Sequence, residues 1–319
     1  MLTYILFVLG FYLLIKGADL LVDGSASIAH KLKISSIVIG LTIVAFGTSA
    51  PELVVNILAS LKGNTDIAIG NILGSNIVNI LLILGISAII YPLKTKENTV
   101  WKEIPLSLLA AILLGVMVND YRIDGTEFSG LTRIDGIVLI SFFVIFLYYT
   151  FGISKIKENF DDEMEIADYG YLKSGLFILL GILGLVLGGK WIVDGATQIA
   201  QLLGVSQSLI GLTVVAIGTS LPELATSAVA AYKKHTDIAI GNVVGSNIFN
   251  VFWILGVSSM INPLPFSQTF NFDIVVMILV SAILFFIMFI GKKHTVTKWE
   301  GFMMVSLYVF YLAFLIGKQ

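Results

Sequence analysis

The sequence contains no cysteine, only three histidines and little charge of either sign. Without cysteine there are no disulfides, no thiolate nucleophiles and no cysteine-ligated zinc or iron–sulfur clusters. His30, His235 and His294 each fall in a basic stretch between apolar runs and read as solvated loop residues rather than metal ligands. Charged residues are 13% of the 319 positions, about half of the roughly 25% that a water-facing surface needs. Nineteen Lys and Arg against 21 Asp and Glu leave a net charge of −2, with no cationic excess to neutralise phosphates, so a nucleic-acid partner is not expected. What is present is apolar: 57% of residues are hydrophobic and the mean hydropathy is +0.96. The composition places the chain in a bilayer. No cleavable leader is expected, because the first positive charge, Lys16, already lies inside the first apolar run.

A spanning helix takes about 20 mostly apolar residues, and ten segments qualify: 3–29, 36–61, 67–91, 103–119, 135–152, 172–199, 208–232, 238–261, 273–291 and 300–317. The charges between them are unevenly shared. One alternating set of loops holds 13 lysines (31, 33, 94, 96, 102, 155, 157, 173, 233, 234, 292, 293 and 298), and the other holds four cations, Lys62, Arg122, Arg133 and Lys318. The excess of Lys and Arg marks the cytoplasmic side, which predicts a multi-pass protein of the cell membrane with both termini outside the cytoplasm. The polar stretch Glu158–Asp168 reads as a solvated acidic linker within 153–171. It divides the chain into an N-terminal five-helix half, 1–152, and a C-terminal five-helix half, 172–319.

The halves are related by duplication. Residues 35–93 align with 206–264 without a gap at a constant offset of 171, and 34 of the 59 positions are identical. The same offset carries Asp23-Gly24 onto Asp194-Gly195. Because five is odd, the second copy enters the membrane upside down. The fold expected is an all-α polytopic membrane protein of ten transmembrane helices in two inverted five-helix repeats, an architecture that puts transported ions near the midplane where the repeats meet.

Each repeat centres on one motif: Gly47-Thr48-Ser49-Ala50-Pro51-Glu52, and Gly218-Thr219-Ser220-Leu221-Pro222-Glu223. Glu52 stands 16 residues past Ser36 and nine before Leu61, far from either membrane surface at about 1.5 Å per residue. A charge at such depth costs at least ~2.5–3.5 kcal/mol, so an intramembrane carboxylate points to function. Pro51 and Pro222 lack an N–H and break their spans, leaving the carbonyls of Gly47 and Gly218 without helical partners. Irregular backbone persists in a membrane only where it is buried in protein or lines a cavity. Freed carbonyls, hydroxyls and a carboxylate within about one turn form an oxygen-only donor set, which suits hard cations such as Ca2+ and Na+.

The next span of each half adds Gly70-Asn71-Ile72-Leu73-Gly74-Ser75-Asn76-Ile77-Val78-Asn79 and Gly241-Asn242-Val243-Val244-Gly245-Ser246-Asn247-Ile248-Phe249-Asn250. Glycines four apart allow close helix approach. Ser75 and Asn79, like Ser246 and Asn250, share a helix face and offer oxygen toward the glutamates. For Asn71, Asn76, Asn242 and Asn247, interhelical hydrogen bonding and direct ion contact are both open. Asp66 and Asp237 read as helix N-caps, and Asp19, Asp23 and Asp194 as interfacial residues or partners of Lys16 and Lys190.

At these motifs the chain resembles the sodium/calcium exchangers of the calcium/cation antiporter superfamily, prokaryotic type, whose repeats carry G-T-S-x-P-E followed by G-S-N-I. The resemblance spans both repeats and the ten-helix layout. It implies that Glu52 and Glu223 jointly ligate Ca2+ with the backbone carbonyls of Thr48 and Thr219. It further implies flanking Na+ sites that use Ala45, Ser49 and Ser75 on one side and Ala216, Ser220 and Ser246 on the other, with Asn79 and Asn250 lining a central position. Several exchangers carry Asp where this chain has Asn250, which removes one possible charge.

The expected activity is therefore secondary antiport of Na+ against Ca2+ by alternating access, with the first and sixth spans as the moving part by resemblance. The alternative is proton-coupled Ca2+ or cation antiport. A channel with an acidic ring is a more distant reading. Enzymatic chemistry is not expected, since no nucleophile–base pair or water-activating histidine neighbours either glutamate. Transported Ca2+ and Na+ and the bilayer are the expected partners, H+ in the alternative, with no resident cofactor and no obligate protein partner.

Overall fold

The structure, a computed structural model, describes residues 2–125, 128–154, 169–202 and 216–317. It is a helical membrane protein. In chain order the main helices are α1 (Leu2–Leu32), α2 (Ser36–Thr48), α3 (Ala50–Leu61), α4 (Thr65–Ile90), α5 (Thr99–Met117), α6 (Arg133–Ser154), α7 (Tyr171–Leu202), α8 (Ala216–Thr219), α9 (Leu221–Tyr232), α10 (Thr236–Ile261), α11 (Gln268–Ile287) and α12 (Lys298–Gly317). Among the described residues eight helices are long and apolar enough to span a bilayer, and the bent pair α2–α3 brings the number to nine. The first part of the expected 208–232 span and the acidic stretch Glu158–Asp168 lie outside the described residues.

Burial sorts the helices into a centre and a shell. Of the most apolar window, 94% is buried in α10 and 78% in α4, against 17% in α12. Trp299, Phe310 and Val309 of α12 and Tyr148 of α6 project outward, as side chains facing lipid do. Lipid is as apolar as leucine, so burial of apolar area gives helices little reason to pair, and close packing of small residues decides who meets whom. Gly241 and Gly245 of α10 show this. A Cβ on Gly241 would sit 2.9 Å from the Ile37 carbonyl oxygen, and one on Gly245 2.8 Å from that of Leu41, so α2 crosses α10 backbone to backbone.

A second glycine seam joins α1 to α7. Gly10, Gly17 and Gly24 recur every seven residues, and the offset of 171 turns them into Gly181, Gly188 and Gly195. Added Cβ atoms would come within 2.9 Å of the Gly188 oxygen from Gly10, 2.8 Å of the Gly181 oxygen from Gly17 and 2.8 Å of the Ser174 oxygen from Gly24. Chain position rises along α1 as it falls along α7, so the two run antiparallel, as inverted copies must.

Two short antiparallel ladders pin the loops. Leu93–Lys94 pairs with Thr295–Val296, and Gly130–Leu131 with Leu264–Pro265. Leu93 and Leu264 are repeat equivalents, and each ladder joins a strand of one half to a strand of the other. Three sequence expectations change here. His235 is 9% exposed and occupies the N-cap position of α10, and the His294 Nε2 is buried; neither is a solvated loop residue, because both loops turn back under the helix ends. Asn64 and His235 stand at the N-cap positions of α4 and α10, which leaves Asp66 and Asp237 inside the first turn, where a carboxylate still favours the positive end of the helix dipole. Lys16 lies 3.6 Å from Asp19, as expected, but the main partner of Asp19 and Asp23 is Lys233 of the α9–α10 loop. Among the described residues Lys190 and Asp194 form no such pair.

Candidate functional site

The two motifs meet at the centre of the molecule. Each span breaks at the serine two residues before its proline: Ser49 has φ −82°, ψ 8° and Ser220 φ −88°, ψ 6°. Past the break the first span bends by 49°. The kink puts Glu52 in the first turn of α3 and Glu223 in that of α9, each 1% exposed. A buried carboxylate at a helix N-terminus is eased by the dipole, though not neutralised by it.

Hydroxyls bind the carboxylates crosswise. The Ser49 Oγ donates to Glu223 Oε1 at 2.9 Å and the Ser246 Oγ to the same oxygen at 3.4 Å. The Ser220 Oγ lies 3.3 Å from Glu52 Oε1 and the Ser75 Oγ 3.5 Å from it, with the two hydroxyls 3.2 Å apart. Each glutamate is thus served by a hydroxyl from either half. The threonines are tied to the asparagine helices: Thr48 Oγ1 donates to Asn242 Oδ1 at 3.0 Å and Thr219 Oγ1 to Asn71 Oδ1 at 3.2 Å. The Ala45 carbonyl accepts from the Ser49 N–H at 3.0 Å, and Ala216 opens α8.

The four remaining asparagines form a reciprocal knot between α4 and α10. Asn79 Nδ2 donates to Asn247 Oδ1 and Asn250 Nδ2 to Asn76 Oδ1, both at 2.9 Å. Interhelical bonding is therefore the observed role of Asn71, Asn76, Asn242 and Asn247. Asn79 and Asn250 sit at the start of wide π-helical turns, Asn79–Leu84 and Phe249–Leu255, and a third such turn, Gly40–Val44, precedes the first motif. Segments of this kind recur at functional sites because they re-aim side chains and disturb the carbonyl ladder.

Four buried oxygens in this knot have no hydrogen-bond donor: Glu52 Oε2, Glu223 Oε2, Asn79 Oδ1 and Asn250 Oδ1. They are two repeat-related pairs, and all four are acceptors. A buried acceptor without a donor is costly, and a cation is the species that satisfies several at once. Among the described residues no three His, Cys, Asp or Glu side chains cluster, so a bound cation would draw on two carboxylates and on neutral oxygens. That set suits Ca2+ or Na+ and offers nothing soft.

A cavity of about 340 Å3 adjoins the knot, between α7 and the broken spans, lined by Pro51, Val54, Val193, Asp194, Thr219 and Pro222 among others. Sequence reasoning passed over two groups, one half-buried and one buried. Lys233 looked like one more loop lysine, although the offset pairs it with Lys62. Glu103, the first residue of the expected fourth span, is 1% exposed and accepts a 2.6 Å hydrogen bond from Tyr149; its position at a span boundary hid its burial.

The family model described as sodium/calcium exchanger protein matches residues 2–152 and 173–317. The sodium/calcium exchanger MaX1 of Methanosarcina acetivorans is 35% identical over 346 residues, covering 98% of this chain and 97% of that protein. The inner membrane protein YrbG of Escherichia coli is 35% identical over 291 residues, with 87% and 86% covered. Among solved structures, the sodium-calcium exchanger NCX_Mj soaked with 2.5 mM Na+ and 0.1 mM Ca2+ superimposes with a TM-score of 0.84 at 36% identity, covering 98% of both chains.

Proposed function

Since the chain belongs to the sodium/calcium exchanger protein family and is a multi-pass membrane antiporter of cations, we propose that it exchanges Na+ for Ca2+ across the cell membrane, with Glu52 and Glu223 as shared ligands. The observation that carries this reading is the pair of symmetry-related orphan acceptors, Glu52 Oε2 with Asn79 Oδ1 and Glu223 Oε2 with Asn250 Oδ1. Thr48, Thr219, Ala45 and Ala216 would contribute carbonyl oxygens, and Ser49, Ser75, Ser220 and Ser246 hydroxyls. The charge asymmetry of the loops supports placing both termini outside the cytoplasm.

The mechanism follows from charge. Two carboxylates carry −2, which one Ca2+ neutralises and two Na+ neutralise equally well. Ions that compete for the same ligands exclude each other, and either load leaves a near-neutral site free to pass between inward-open and outward-open states. Two unpaired carboxylates in low dielectric resist that passage. Exchange is favoured over leak for that reason.

The decisive experiment is Ca2+ uptake into proteoliposomes loaded with Na+, with the outward Na+ gradient imposed and then abolished at matched pH. Uptake that appears only with the gradient is the result expected. Uptake that ignores Na+ and follows a pH gradient would assign the protein to proton-coupled antiport instead.

A further inference from the structure

The two halves share a sequence but do not share a conformation. The cavity beside α7 has a repeat-related counterpart beside α1, in which Val193 becomes Val22, Val55 becomes Thr226 and Asp194 becomes Asp23. On the α7 side Val193 and Val55 are partly exposed and the space is about 340 Å3. On the α1 side Val22 and Thr226 are fully buried. That closed side carries an ion cluster, in which the Lys233 ammonium, at the end of α9, bonds to Asp19 and reaches Asp23 at 2.7 Å, while Lys16 stands 3.6 Å from Asp19. Two cations meet two anions. All three partners of the central bond are less than about a third exposed or close to it, with side-chain values of 24%, 35% and 29% for Lys233, Asp19 and Asp23.

The repeat turns the same positions on the open side into Lys62 for Lys233, Asp194 for Asp23 and Lys190 for Asp19. The repeat supplies two cations and one anion there, and none of the three is ion-paired with another among the described residues.

Resting on the antiporter reading above, we propose that Lys233 is a positioning residue that latches α1 to α9 through Asp19 and Asp23, closing the cytoplasmic path to the ion site, and that Lys62 with Asp194 is its weaker counterpart on the opposite side. The unequal charges bias the ion-free protein toward the state seen here. Burial works against the charge of Lys233, but the two carboxylates outweigh it and hold the ammonium above the usual lysine range. A part-buried ion pair between two elements acts as a latch if it forms in one state and parts in the other.

The native chain has no cysteine, so single reporters can be placed without background. In oriented vesicles, V22C is labelled by an impermeant maleimide from the Lys233 side and V193C from the other. Replacing Lys233 by Met should speed labelling of V22C about fivefold and slow that of V193C, as a shift of an equilibrium by one part-buried ion pair would; Lys233→Arg should keep the native rates. Lys190→Asp gives Lys62 a second acceptor and should protect V193C by a similar factor while speeding labelling of V22C. Equal labelling for Lys233→Met and Lys233→Arg, or no protection in Lys190→Asp, overturns the latch. Labelling needs no transport, so Ca2+ flux in the same vesicles tests the exchanger reading separately: flux indifferent to Na+ with shifted labelling removes that reading and keeps the latch.

Discussion

At the scale of single residues, the candidate site rests on two carboxylates that cost free energy to bury and that accept hydrogen bonds from serine hydroxyls of both halves. Glu52→Gln and Glu223→Gln keep shape and hydrogen bonding to Ser220 and Ser49 while halving the charge available to Ca2+. Each is expected to lower Na+-driven Ca2+ uptake at least about 100-fold, beyond the loss typical of an outer-shell change, while membrane insertion and yield stay native. Full activity in either variant would show that the two glutamates do not share one ion. Asn250→Asp adds a third negative charge where Oδ1 already lacks a donor. The expected result is a steeper dependence of Ca2+ uptake on Na+ concentration, since a third charge calls for a further counter-ion; an unchanged Na+ titration removes Asn250 from the ion path. These positions were legible in the sequence because a glutamate within an apolar run is conspicuous and the repeat shows it twice. Who bonds to whom was not legible. Ser49 and Glu223 are 174 positions apart, and nothing local to either motif says that each serine serves the carboxylate of the other half.

At the scale of elements, breaks and seams set the geometry. The prolines announced the broken helices, and the structure puts the break at the serine two residues earlier, where the chain first departs from helical dihedrals. The wide turns at Asn79–Leu84 and Phe249–Leu255 could not be read from the sequence. A run apolar on every side carries no periodicity with which to tell one helical pitch from another. The heptad of glycines in α1, by contrast, is plain once the offset of 171 is known, and its consequence is testable. Gly17→Leu would force a side chain into the carbonyl of Gly181, and overpacking of this kind costs about 1–3 kcal/mol. The unfolding temperature in detergent should fall by several degrees, with the α1–α7 pair separating. An unchanged unfolding temperature would mean that this seam contributes little to stability.

At the scale of the whole molecule, inverted duplication supplies two matching sets of oxygen donors and two unequal ends. On the proposed reading neither half alone balances the charge of Ca2+, since Glu52 and Glu223 bring −1 each. That reading makes movement of the protein between its two faces conditional on cargo. Proteoliposomes loaded with labelled Ca2+ and diluted into Na+-free medium containing unlabelled Ca2+ should exchange their label, because the carrier crosses occupied in both directions. The same vesicles diluted into Na+-free medium with a chelator should retain it, because the carrier would have to return with two unpaired carboxylates in low dielectric. The two loss rates are expected to differ at least about tenfold, the factor that ~1.4 kcal/mol of added barrier produces. Equal rates would mean that the empty site crosses freely. Charge at Glu52 and Glu223 would then not be what couples one ion to the other, and the coupling would have to be sought at the helix ends, where Lys233 grips Asp19 and Asp23.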